Sequence, residues 1–174
     1  MAKKKIVNNF RDILCDKFRP GHFDGVTTVV DHFFNIIKPT NSYFGEKDFQ
    51  QVKLIQDLVK INHHNIKIIL CPSVRDKSGM SLSSRKSKFS NDQLKIFNLL
   101  GNKIKEHINL LTQNEINNFD QLKIELLQNN INKIDYLEIR NENNLEIAKN
   151  YSKARLFIAL YICDIRIIDN FKLY

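Results

Sequence analysis

Between residues 42 and 72 the hydrophobic period of the chain changes twice. Ser42–Phe44 is a short extended piece. Phe49, Val52, Ile55, Leu58 and Val59 then recur at helical spacing as far as about Ile61. Residues 66–71 (Ile-Lys-Ile-Ile-Leu-Cys) form a compact, β-branched run stopped by Pro72. A strand, a helix and a strand in this order predict parallel pairing through a crossover, the unit of an α/β sheet. In such sheets ligands sit beyond the carboxyl ends of the strands. Upstream, Val26, Val29, Val30, Phe33, Phe34 and Ile37 follow helical spacing, with Asp24-Gly25 expected as the N-terminal cap and Pro39 ending the helix.

The second half reads differently. Residues 75–89 are a Ser-, Lys- and Arg-rich loop. Ser90-Asn91-Asp92 is expected to cap a long helix carrying Leu94, Phe97, Leu100, Ile104, Ile108 and Leu111, with a second helix over about 115–129. Residues 134–139 alternate like a half-buried strand, and 155–162 with 165–169 predict a hairpin turning near Cys163-Asp164. The expectation is an α/β portion over residues 1–80 and a smaller α+β domain with an antiparallel sheet over 81–174.

The 174 residues are 43% hydrophobic, enough for a globular core, and contain no apolar run of transmembrane length. The basic start Met1-Ala2-Lys3-Lys4-Lys5 has no apolar stretch after it, so a cytoplasmic protein is expected, without membrane attachment. Cys15, Cys71 and Cys163 offer no C-x-x-C pair; they read as buried free thiols rather than zinc ligands or a redox couple. The net charge of +8 suits anionic partners, but the cations are dispersed, which reads first as a solvated surface. No basic stripe with interleaved aromatics points to nucleic acid.

The chemistry concentrates in two clusters. Phe44–Gln51 packs a glycine, a cation, anions and two amides between apolar runs. Gly45 is expected to turn the backbone at the strand end. A helix beginning near Lys47 would aim its first amides at an anion, with the Lys47 ammonium beside them. Asp48 reads either as a helix cap or as a partner for ribose hydroxyls or Mg²⁺. Gln51, one turn beyond Lys47, can both donate to and accept from a carboxylate or hydroxyl ligand. The second cluster, Leu82-Ser83-Ser84-Arg85, supplies two hydroxyls and a guanidinium suited to phosphate, with Lys77, Lys86 and Lys88 close in sequence. The two clusters are expected to form two walls of one anion site. His22 reads as a backbone-bonding residue before a ligand-orienting one. His32, His63, His64 and His107 lack metal-ligand spacing and read as surface or packing residues. No P-loop, dinucleotide fingerprint, H-E-x-x-H or nucleophile elbow occurs.

In this order and spacing, Arg19–Val30, Asn35–Pro39, Phe44–Gln51, Val74-Arg75, Leu82–Arg85, Ile134–Glu138 and Arg166–Asn170 resemble the pantothenate synthetases (pantoate–β-alanine ligases), from about residue 10 to 171. The resemblance implies a Rossmann-like nucleotidyltransferase-type domain followed by a small α+β lid. It implies a two-step ligation, in which ATP adenylates the pantoate carboxylate with Mg²⁺ assisting and the β-alanine amine then displaces AMP. Carried over by position, Gly45, Glu46, Lys47, Asp48, Leu82, Ser83, Ser84 and Arg85 would contact ATP, and Val74 would offer its backbone to adenine. Gln51 would hold pantoate in a pocket lined by Val26, Val29 and Val30. Lys47 and Arg85 would be the catalytic cations.

Members of that family are longer. Their preceding half carries an H-x-G-H signature, a catalytic His and a second substrate Gln. This sequence is therefore expected to correspond to the C-terminal part, with little ligase activity alone. A complementing N-terminal half or a homodimer is the expected partner; an inactive remnant that binds nucleotide or a partner protein is the alternative. Ser78 stands where the family has Asp, and Lys86 where it has Asn.

Overall fold

The computed structural model describes residues 6–111, 118–129 and 131–174. The chain divides into two compact units, Met1–Pro72 and Ser73–Tyr174. It is an α/β protein with one parallel and one separate antiparallel sheet.

The first unit contains α1 (Leu14–Phe18), α2 (His22–Ile37), β1 (Asn41–Gly45), a 3-10 turn (Glu46–Asp48), α3 (Phe49–Asn62) and β2 (Lys67–Cys71). β1 and β2 pair in parallel, Asn41 opposite Lys67 and Gly45 opposite Cys71, with α3 as the crossover. The periodic residues of α3 do what their spacing predicts: Phe49, Val52, Leu54, Ile55, Leu58 and Val59 are buried.

Helix α2 departs from expectation at its start and along its face. It begins at His22, four residues before Val26, because Gly21 adopts the left-handed conformation (φ 76°) and turns the chain into the helix. Asp24 is therefore not the cap. It lies in the first turn, where its carboxylate accepts from Arg11 Nη2 at 2.5 Å. The helix ends at Ile37, with Lys38 left-handed before Pro39. Its buried stripe is Phe23, Thr27, Asp31 and Phe34, whereas Val29, Phe33, Ile36 and Ile37 are exposed by 53 to 65%.

Polar groups hold this unit where apolar burial is thin. Gln50, 5% exposed, donates from Nε2 to the carbonyls of Phe10 and Ile13 and accepts from the Cys15 amide. That segment includes Phe10, Asp12 and Leu14, all at positive φ, a conformation costing about 1 kcal/mol or more per residue. The buried Asp31 carboxylate lies 2.8 Å from His63 Nε2 and also accepts from Asn35.

The second unit contains a 3-10 helix (Ser84–Lys88), α4 (Asn91–Leu111), α5 (Asn118–Gln128), β3 (Lys133–Asn141), β4 (Ala154–Ile162) and β5 (Ile165–Lys172). The expected loop over 75–89 thus contains a short helix. Ser90 caps α4 reciprocally: its Oγ accepts from the Gln93 amide while Gln93 Oε1 accepts from the Ser90 amide. Part of the expected helix over 115–129 lies outside the described residues. The strands pair antiparallel in the order β3-β4-β5, and the β4–β5 hairpin turns at Cys163-Asp164 as its pattern predicts. Phe97, Leu100 and Ile104 of α4, Leu122 and Leu126 of α5, and Leu156, Ile158, Leu160 and Ile162 of β4 form the core. Each such side chain contributes about 1.5–3 kcal/mol.

The units divide between Pro72 and Ser73, eight residues before the boundary expected near 80. Residues 75–81 are bonded into the second unit: Ser81 donates from its amide and hydroxyl to the buried Asp169, and Arg75 bonds Asp169 and the Asn170 carbonyl. The thiols are also not uniformly buried. Cys15 is buried, Cys71 intermediate and Cys163 exposed, since the last begins the two-residue turn of the hairpin.

Candidate functional site

The candidate residues fall in both units. In the first, the cluster follows directly on the carboxyl end of β1. Gly45 has an extended backbone (φ −70°, ψ 134°), so it does not supply the expected turn; the 3-10 geometry of Glu46–Asp48 does. Asp48 occupies the N-cap position of α3, yet its side chain makes no capping bond. It is exposed, while Glu46, Lys47 and Gln51 are half-buried. The neighbouring amide, Gln50, is the structural one of the pair. Val26 and Val30 on α2 are half-buried and Val29 is exposed.

In the second unit, Arg75 and Ser81 bridge the ends of a tight loop, and the Leu82 amide donates to the Val74 carbonyl at 2.8 Å. That bond brings Val74 and Leu82 together, both exposed apolar residues at 69% and 54%. Ser83 enters the 3-10 helix with its Oγ accepting from the Arg85 amide. Arg85 is exposed and donates from Nη1 to the Arg166 carbonyl at 3.2 Å. Arg75 stacks over Phe171 at 4.5 Å as it reaches Asp169. Thus Val74-Arg75, Ser81–Arg85 and Arg166–Asn170, separate in sequence, are one assembly.

Ser78 and Lys86 converge on one carboxylate. Asp76 Oδ1 accepts from the Ser78 amide (2.9 Å) and hydroxyl (2.6 Å), and Asp76 Oδ2 meets Lys86 Nζ at 2.5 Å. Burial pushes the Asp76 carboxyl up, but the Lys86 and Ser78 hydrogen bonds and the Lys86 charge outweigh it and hold the group below its ordinary value.

Gln50, Asp76 and Asp169 carried no expected role. A signal existed for Gln50 alone, since Gln50, Leu54 and Asp57-Leu58 share one helical face. Among the histidines, His63 ties α3 to α2 through Asp31 and Phe34, and His107 is buried with Nδ1 against the Lys103 carbonyl. Among the described residues no three His, Cys, Asp or Glu gather as a metal site, and no helix is long and apolar enough to cross a membrane.

The sequence model described as pantoate-beta-alanine ligase matches residues 1–172. The chain belongs to the pantoate–β-alanine ligase family. It is 38% identical over 169 residues to the pantothenate synthetase of Caldicellulosiruptor saccharolyticus, covering 94% of this chain and 60% of that protein. It is 40% identical over 164 residues to that of Clostridium acetobutylicum, covering 92% and 58%. The chain thus spans about 60% of the length of these relatives. Among solved pantoate–β-alanine ligases, that of Thermus thermophilus superimposes with a TM-score of 0.90 at 28% identity, over 99% of this chain and 64% of that one. That of Francisella tularensis, complexed with beta-gamma ATP and β-alanine, gives 0.74 at 37% identity, over 93% and 54%.

Proposed function

We propose that this chain is the portion of a pantoate–β-alanine ligase that holds one side of the ATP and pantoate sites, in pantothenate and coenzyme A biosynthesis. In this reaction the pantoate carboxylate attacks the α-phosphorus of ATP, giving pantoyl adenylate and pyrophosphate. The β-alanine amine then attacks the acyl carbon, forming the amide of pantothenate and expelling AMP. The family match over residues 1–172 carries the reading. The placement of Glu46–Asp48 at the carboxyl end of β1 supports it, since ligands of parallel sheets sit there.

In this reading Gly45, Glu46, Lys47, Asp48, Leu82, Ser83, Ser84 and Arg85 are the ATP-contacting residues. Val74 offers its backbone to adenine. Gln51 binds pantoate beside Val26, Val29 and Val30. Lys47 and Arg85 stabilise charge that builds on the phosphoryl oxygens as the phosphorus–oxygen bond breaks. Much of the remaining acceleration is the holding of two anions and an amine in place. The exposed Asp48 would be the carboxylate to face a triphosphate-bound Mg²⁺, which would supply neutralisation of the phosphate charge.

A titration with Mg-ATP tests the binding surface. Lys47→Ala and Arg85→Ala are each expected to weaken affinity about 10- to 100-fold; equal binding by the wild type and both variants would sink the reading. With ATP, pantoate and β-alanine, the chain alone is expected to release little AMP, and robust turnover would refute its partial character. A second reading, a subunit or remnant that pairs with a complementing half or a second copy, rests on the exposed Val29, Phe33, Ile36 and Ile37. Size-exclusion chromatography decides it, a clean monomer counting against self-pairing.

A further inference from the structure

Lys86 stands inside the cationic stretch of the second cluster, beside Arg85. Its ammonium is already engaged. It meets Asp76 Oδ2 at 2.5 Å and lies over the Phe97 ring of α4 at 5.1 Å. Both partners are partly withdrawn from water, with side-chain exposures of 30% for Lys86 and 15% for Asp76.

The carboxylate continues the connection inward. Its other oxygen accepts from both the amide and the hydroxyl of Ser78, which is 4% exposed. Ser78 in turn lies against α4 at Gly101: a Cβ there would stand 2.6 Å from both the Ser78 carbonyl oxygen and its Oγ. Only a residue without a side chain lets the loop approach so closely. A continuous path therefore runs from the Ser84–Lys88 turn through Lys86, Asp76 and Ser78 to the backbone of the long helix.

We propose that Lys86 is a positioning residue: its pair with Asp76 anchors the Ser84–Lys88 turn to α4, so that Arg85 and the serine hydroxyls, not Lys86, meet the phosphates. The identity of the anion rests on the nucleotide reading above; the anchor itself does not. If Lys86 swung to a phosphate, the Asp76 carboxylate would keep the Ser78 hydrogen bonds but lose its counter-charge close to an incoming polyanion, an arrangement disfavoured by like-charge repulsion. Held on Asp76, the same cation cancels that charge and fixes the turn that carries Arg85.

The test uses the full chain with Lys86→Met, Asp76→Asn and the double variant. Methionine keeps an apolar stem over Phe97. Asparagine keeps an acceptor for Ser78, so the loop still folds. Amide hydrogen exchange over residues 84–88 is expected to quicken about tenfold in each single variant, with no further change in the double. Mg-ATP affinity should fall by a similar factor in both singles and equally in the double. Unchanged exchange in either single variant would overturn the anchor. So would a selective pattern in which Lys86→Met loses affinity while Asp76→Asn keeps or gains it, the signature of a direct phosphate ligand. If the wild type binds no Mg-ATP, the nucleotide reading fails, and the exchange measurement still decides the anchor.

Discussion

Strand β4 of the second unit buries eight of its nine residues, whereas neither β1 nor β2 of the first buries any. The contrast extends to the helices. α4 and α5 turn Phe97, Ile104, Leu122 and Leu126 into a contiguous core, while α2 exposes Val29, Phe33, Ile36 and Ile37 and buries Thr27 and Asp31. Strands of parallel sheets are ordinarily covered on both faces. In the first unit apolar burial gathers on α3, at Val52, Leu54, Ile55 and Leu58, and polar ties from Gln50 and Asp31 fix the segments around it, each contributing on the order of 1 kcal/mol; in the second, apolar burials of about twice that run along a whole strand.

The comparison can be broken at its strongest point. Ile158→Ala, at a fully buried position of β4, is expected to destabilise the second unit by about 4 kcal/mol in urea denaturation; a loss under about 1 kcal/mol would show that its core is not what holds it. Next, Gln50→Leu removes three hydrogen bonds to the Phe10–Cys15 segment and should cost about 2–3 kcal/mol, read as faster exchange confined to the first unit. A neutral result would mean the segment is held by burial. Gly101→Ala forces a methyl group onto Ser78 and should cost about 1–3 kcal/mol, lowering the melting temperature without touching the first unit.

The smallest effect is acid-dependent. The folded Asp76 carboxyl is held below its ordinary value, so the stability it adds is fully present above its unfolded value and is lost as pH falls through the folded one. Stability measured from pH 5 downward should therefore decline below about pH 4, and Asp76→Asn should flatten part of that slope. Glu125, held low by the hydrogen bonds of Gln121 and Lys103 against its partial burial, keeps a residual slope of the same sign.

What could be read from the sequence was what repeats within a few residues. The strand–helix–strand unit, the Ser90 cap and the β4–β5 hairpin all follow from local period and turn chemistry. What escaped was non-local. Gln50 meets residues 35 to 40 positions away, and Asp169 meets Ser81 across 88. The period of α3 puts Gln50 on a buried face, but neither partner leaves a periodic trace. The start of α2 was misplaced because a left-handed Gly21, not an acidic cap, begins it. The same limit applies to the site. The proposed clusters Gly45–Gln51 and Leu82–Arg85 stand out in the sequence as concentrations of charged and polar groups, but Asp76, whose carboxylate meets Ser78 and Lys86, looks like one more polar loop residue.

The hairpin turn offers a practical handle. Cys163 is exposed at φ 51°, while Cys15 is buried and Cys71 intermediate. A maleimide dye under mild conditions should therefore couple first at Cys163, placing a fluorophore on the second unit at the far end of β4 from Arg155. Its emission would follow the melting of that unit separately from the first, converting a two-part structure into one whose parts can be timed independently.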